Sequence, residues 1–142
     1  MSPVNRRTFL SGAIAGVGGL VATAKGAGAL ALGSAPARVA TATPSDLVGA
    51  LFSDAGAVGR IGSIYLQLAA NEASEAALLP LLAPEDEDPT EWWGSIDGKE
   101  LQTEMRRRAH ADFKTPDVVD IAGWQLARTE CRLAALWVVT HP

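Results

Sequence analysis

Apolar residues recur at helical spacing through most of the chain beyond residue 43. Thr43-Pro44-Ser45-Asp46 reads as a turn into a short helix whose stripe is Leu47, Val48, Leu51 and Phe52. Asp54 is placed to cap the next helix, where Val58, Ile61, Tyr65 and Leu68 follow at three or four residues and Ile64 widens the face. Gly56, Gly59 and Gly62 run between them. Each weakens a helix by about 1 kcal/mol relative to alanine, but together they leave a smooth ridge suited to a tight contact inside the domain. Residues 72–82 carry Ala76, Leu78, Leu79, Leu81 and Leu82, with Pro80 removing one backbone donor. That predicts a third helix that is short or begins late.

Pro84-Glu85-Asp86-Glu87-Asp88-Pro89-Thr90-Glu91 breaks the pattern as an acidic, proline-flanked loop. Trp92 and Trp93 follow directly, and adjacent side chains diverge on any regular element, so at least one ring is expected at the surface. Asp97 and Glu100 make a capping pair for a helix over 98–113 with a thin face of Leu101, Met105, Ala109 and Phe113. Thr115-Pro116-Asp117 ends it. Val118 to Ile121 and Trp124 to Leu126 then flank Ala122-Gly123, which predicts a hairpin that must lean on the helices, since two strands alone are marginal. The last helix, 127–140, carries Leu133, Leu136, Trp137 and Thr140 on one stripe with Ala134 and Val138 beside it. As the most apolar, it is expected at the centre. The predicted fold is mainly α: a small bundle of four to five helices with a short β-hairpin near 118–126.

The first 42 residues differ in kind. Asn5-Arg6-Arg7-Thr8-Phe9-Leu10-Ser11 precedes an apolar run over Phe9 to Ala24 that is diluted by glycine and followed by Lys25. A basic start, an apolar core and small-residue cleavage sites are the parts of a secretory signal. Arg6, Arg7, Phe9 and Leu10 match the pattern of a twin-arginine (Tat) signal peptide, which this segment resembles. Asn5 stands where Ser or Thr is usual and Ser11 where Lys is common. The resemblance implies a protein handed folded to the Tat translocase and exported to the periplasm or another extracytoplasmic space. Ala29-Leu30-Ala31, Ala35-Pro36-Ala37 and Ala40-Thr41-Ala42 all offer cleavage sites, and the last is favoured because Pro44 then opens a folded domain. The other reading is an uncleaved anchor over 9–32, against which stand Lys25 and six glycines between Gly12 and Gly28. Contact with the membrane is transient unless the signal is retained. The division is therefore 1–42 signal peptide and 43–142 helical domain.

That division sharpens the charge. The segment beyond residue 42 holds eight basic and sixteen acidic residues, a net charge of −8. So acidic a domain repels phosphate backbones, which excludes nucleic acid as the expected partner. Arg106-Arg107-Arg108 looks basic only in linear text; on a helix the three fan out, and Glu104 sits four residues before Arg108 as a favourable partner. Glu130 with Arg128 or Arg132 reads as a surface pair. A single cysteine, Cys131, rules out an intrachain disulfide and sits among apolar neighbours as a small buried hydrophobe.

No catalytic, cofactor or metal motif stands out. His110 and His141 are solitary in the sequence, the acidic run lacks the Asp-x-Asp-x-Asp-Gly spacing of a calcium loop, and no Gly-x-Gly-x-x-Gly or Gly-x-Ser-x-Gly occurs. Tryptophan is the one excess: Trp92, Trp93, Trp124 and Trp137. The first three are the candidate partner interface, because tryptophan dominates interface hot spots. The leading expectation is a non-catalytic subunit or escort of a larger Tat-translocated redox enzyme, without a cofactor of its own. Architecturally this resembles the small subunits of membrane-bound sugar and alcohol dehydrogenases of the D-sorbitol or fructose type, in signal, length and helical tail. The alternatives are a stand-alone exported protein binding a small ligand or glycan on its tryptophans, and a small enzyme or chaperone with an unrecognised site.

Overall fold

The computed structural model describes residues 42–142, and within them the helices begin where capping side chains stand. Helix α1 (Pro44–Gly49) starts on Thr43, whose hydroxyl accepts from the Asp46 amide while the Asp46 carboxylate accepts from the Thr43 amide. Asp54 caps α2 (Ala55–Leu68) through the Ala57 amide at 2.9 Å. A single 3₁₀ turn, Ala70–Glu72, separates α2 from α3 (Glu75–Leu82), which Ser74 caps. The third helix thus begins late, and Pro80 lies inside it. Asp88 caps α4 (Pro89–Ser95) through the Thr90 and Glu91 amides. Asp97 and Glu100 form the expected reciprocal cap of α5 (Gly98–Lys114).

Strands β1 (Val118–Ile121) and β2 (Trp124–Ala127) pair antiparallel, with Val118 opposite Ala127 and Ile121 opposite Trp124. Their two-residue turn has φ of 53° at Ala122 and 84° at Gly123. Positive φ at both positions is what a type I′ hairpin turn requires, and the Asp120 carboxylate accepts from the Gly123 amide at 2.8 Å. Helix α6 (Arg128–Thr140) follows without a loop.

The architecture is mainly α with one small hairpin, as the hydrophobic pattern predicts, but with six α-helices among the described residues rather than four to five. The additional one is α4, read from the sequence as the end of an acidic loop. Asp88-Pro89-Thr90-Glu91 is in fact a helix start: an N-cap, a proline at the first helical position and an acid in the first turn.

Helix α6 is the centre. Cys131, Leu133, Ala134, Ala135 and Leu136 are all buried, and the helix packs against α1, α2, α3, α5 and both strands. The tightest approach is to α2. A Cβ built on Gly62 would stand 2.3 Å from the Ala134 carbonyl oxygen, far inside van der Waals contact. At Gly59 it would meet the Trp137 ring at an ordinary 3.5 Å, and at Gly56 only the Asp54 cap. The glycine ridge is therefore an intradomain contact centred on one residue.

Three expected details are corrected. Leu68 and Phe113, assigned to apolar faces, are 63% and 42% exposed, because each falls on the last turn of its helix, beyond the neighbours that cover the rest. Glu104 pairs with Arg107 at 2.6 Å, while Arg108 turns inward and donates to the Leu82 carbonyl, tying α5 to α3. Pairing at three residues frees Arg108 for the buried side of the helix. Glu130 pairs with neither Arg128 nor Arg132; it is buried, and both arginines reach other elements.

Replacing Gly62 by alanine is expected to destabilise the full chain by about 2–3 kcal/mol, since backbone must move to admit the methyl group. Gly59→Ala has room and gains helix propensity, so it is expected to be neutral or stabilising by up to about 1 kcal/mol. Urea unfolding of the two variants checks the contrast; equal effects would remove Gly62 from its special place.

Candidate functional site

The richest grouping of polar side chains lies where the start of α6 meets the end of α2. Tyr65 projects from α2, Glu72 closes the 3₁₀ turn, Arg128 and Arg132 lie one turn apart on α6, and Asp117 precedes β1. The Tyr65 hydroxyl donates to Glu72 Oε2 at 2.7 Å. Arg132 binds the same carboxylate with two bonds, Nε to Oε2 at 2.9 Å and Nη2 to Oε1 at 2.8 Å. Arg128 stands beside the Tyr65 oxygen and donates through Nε to Asp117 Oδ1 at 2.6 Å. A two-pronged guanidinium–carboxylate pair adds geometric definition to its charge attraction, so Glu72 and Arg132 pin the 3₁₀ turn to the central helix.

Electrostatics sets each group's proton. The Arg132 bonds hold the Glu72 carboxyl below its ordinary range, against the opposing effect of burial, and Tyr65 lowers it further. Burial and then the adjacent Glu72 push the Tyr65 phenol up. Arg128 is held protonated chiefly by Asp117, and Arg132 chiefly by Glu72. Cys131, in the next turn of the buried face, is pushed up to about 12 by burial and by Glu130, so it stands as a protonated thiol near neutrality.

Beside this clamp, α6 opens in an unusual way. Its N-cap residue is Ala127, which has no side-chain acceptor. The leading amides are bound from elsewhere: Ala127 N–H by Glu130 Oε2 at 3.1 Å, Arg128 N–H by the Asp117 carbonyl at 3.1 Å, and Thr129 N–H by Asp112 Oδ2 at 2.8 Å. Helix α5 thus lends α6 a cap. Three acids, Asp112, Asp117 and Glu130, surround the positive end of the helix dipole. Glu130 is 4% exposed and its Oε1 is buried with no hydrogen-bond partner. Burial raises its pKa above the ordinary carboxyl value, Asp112 adds to the rise and the Ala127 amide opposes it.

Of the sequence-derived candidates, Trp92 and Trp93 are corrected. Both are buried, at 7% and 4% exposure. Their rings meet edge to face with centroids 4.9 Å apart, and Trp93 Nε1 donates to the Leu79 carbonyl at 3.1 Å. Adjacent positions diverge by about 100° on a helix, but both rings join the main hydrophobic core. Trp124 is the exposed one, 53% accessible on β2. Trp137 is half-buried and stacks on His141 at 5.0 Å. The export residues Arg6, Arg7, Phe9 and Leu10 lie outside the described residues.

The clamp residues were missed in the sequence because Glu72 and Arg132 stand 60 positions apart. Only Glu130, three residues after Ala127, occupies a recognisable capping position. Among the described residues no group of three or more His, Cys, Asp or Glu side chains is placed to hold a metal ion, and no helix is long and apolar enough to cross a membrane. Comparison with protein families, curated proteins and solved structures finds no match for this chain.

Two acids give opposite pH dependences. Glu72, lowered in the fold, contributes stability above the ordinary carboxyl value of 4.5 that is lost as pH falls through its folded value. Glu130, raised in the fold, contributes stability below 4.5 that is lost as pH rises through its folded value. Glu72→Ala is expected to cost about 2–3 kcal/mol at pH 7 by stranding Tyr65 and Arg132. Glu130→Gln should lose ground to the wild type as pH falls toward 4.5 and gain on it as pH rises. Urea unfolding at the two pH values reads both, and a constant wild-type-to-Gln difference would show that Glu130 keeps its charge in the fold.

Proposed function

We propose that this chain is a small non-catalytic subunit or escort of a larger redox enzyme exported by the Tat route. The observation that carries the reading is the Arg6-Arg7-x-Phe9-Leu10 pattern placed ahead of a domain that builds its core without a disulfide. Such a domain can fold in a reducing cytoplasm, the state in which a Tat substrate travels. The polar clamp supports the same reading through its chemistry: guanidinium, phenol and thiol all hold their protons and Glu72 stays ionised, so these groups brace helices. Trp124, 53% exposed at the hairpin, is an aromatic anchor available to a partner. Burial of Trp92 and Trp93 withdraws both rings from a partner interface and from stacking on a sugar face alike, leaving Trp124 to either role.

The escort reading ties two proteins to one signal. The double variant Arg6→Lys, Arg7→Lys is expected to leave both this chain and its larger companion in the cytoplasm. Fractionation followed by mass spectrometry of each compartment measures it. Retention of this chain alone, with every larger enzyme exported normally, overturns the escort role.

A further inference from the structure

One face of α5 turns outward along most of its length. Glu100, Thr103, Arg107, Ala111 and Lys114 are exposed on it, and Glu104 is half-buried beside them. Glu100, Glu104, Arg107, Ala111 and Lys114 follow one another at alternating intervals of four and three residues, the spacing of a seam between two helices. Charge is divided along that seam. Glu100 and Glu104 share a depression with Glu87 of the loop before α4, while His110 and Lys114 line a second one. Arg107 belongs to both and marks the boundary.

We propose that this face pairs with the same face of a second copy of the chain, antiparallel about a two-fold axis at Arg107. A two-fold contact is self-complementary: where one residue meets another, the reverse contact occurs as well. With Arg107 on the axis, Glu100 meets the partner's Lys114, Glu104 the partner's His110 and Thr103 the partner's Ala111, each twice. Glu100 and Lys114 stand 14 residues apart, about 21 Å along the helix, so the matched ends span most of α5. The two Arg107 side chains approach already neutralised, because each holds its own Glu104 by bonds of 2.8 and 2.6 Å. Thr103 and Ala111 are small enough to let the helices close. A parallel pairing would set Glu100 on Glu100 and Lys114 on Lys114, which like-charge repulsion opposes. Acid at the start of a helix and base at its end also favour the helix itself; their place on one exposed seam is what suits them to a second copy. The domain's net charge of −8 opposes approach at long range, but salt screens it beyond about 8 Å at physiological ionic strength, leaving the paired groups to decide at contact. The assignment is independent of the escort reading.

Crosslinking of the full purified chain tests partner and register together. The wild type has one thiol, Cys131, which is buried. Thr103→Cys and Ala111→Cys place new thiols at positions that face each other only between antiparallel copies. Within one chain they lie eight residues apart, about 12 Å along the helix, too far for a disulfide. Under mild oxidation the double variant is expected to give about tenfold more disulfide-linked dimer than either single variant, since docking raises the effective concentration of one thiol at the other. Adding Lys114→Glu should cut that yield about tenfold, and adding Glu100→Lys as well should restore it. Circular dichroism checks that each variant keeps native helix. Equal yields from the single and double variants mean unspecific association and overturn the proposal. Stronger crosslinking of either single variant means a parallel seam and overturns it equally.

Discussion

Helix α6 occupies the centre because α2 offers it bare backbone at Gly62. The Ala134 carbonyl lies where any side chain at that position would begin. Close approach of two helices multiplies the dispersion contacts along their shared length, and here it carries Val58 and Tyr65 of α2 against the interior while Cys131, Leu133, Ala134 and Leu136 of α6 fill it. The other elements arrange themselves around that pair. Helix α3 docks on α6, α4 is held to α3 by the Trp93–Leu79 bond, and α5 is tied to α3 through Arg108.

A helix packed so completely faces a difficulty at its start. Its first amides are buried with no capping side chain at Ala127, and an unpaired buried amide costs about as much as a lost hydrogen bond. The solution comes from three directions: a carboxylate from α5, a carbonyl from the approach to β1, and the helix's own Glu130. The hairpin belongs to this arrangement. By joining α5 to α6 through a tight I′ turn, it returns the chain so that Asp112 and Asp117 stand at the α6 terminus. Capping, hairpin and the Glu72–Arg132 clamp are therefore parts of a single junction.

Local features were legible in the sequence and distant ones were not. The turn into a helix at Thr43 to Asp46, the caps at Asp54 and Asp97, the Ala122-Gly123 turn and the centrality of the last helix follow from near-neighbour chemistry that any reader of residues 43–140 can apply. Helix α4 escaped because four acids in a row suggest solvated chain, although the Asp88-Pro89 step is a helix start by its own logic. The fates of Trp92 and Trp93 depend on core neighbours distant in sequence, such as Leu79, which local periodicity does not describe. Glu72, Tyr65 and Arg132 form one cluster only after α2 and α6 have met, so no spacing rule reaches them. Arg6, Arg7, Phe9 and Leu10 are the reverse case, a resemblance carried by the residues alone and lying outside the described residues.

The junction at α6 also bears on how a disulfide-free domain keeps its fold across conditions. Glu72 strengthens the structure when ionised, and burial of Glu130 weakens it when that group ionises. Acid removes the first contribution and restores the second; base does the opposite. The two contributions change on opposite sides of the ordinary carboxyl value of 4.5, so together they place the junction's greatest support near that value. Cys131, buried and held as a thiol, contributes packing. The stability of the chain then resides in close helix contact and in a polar junction that leaves Glu130 Oε1 without a hydrogen bond.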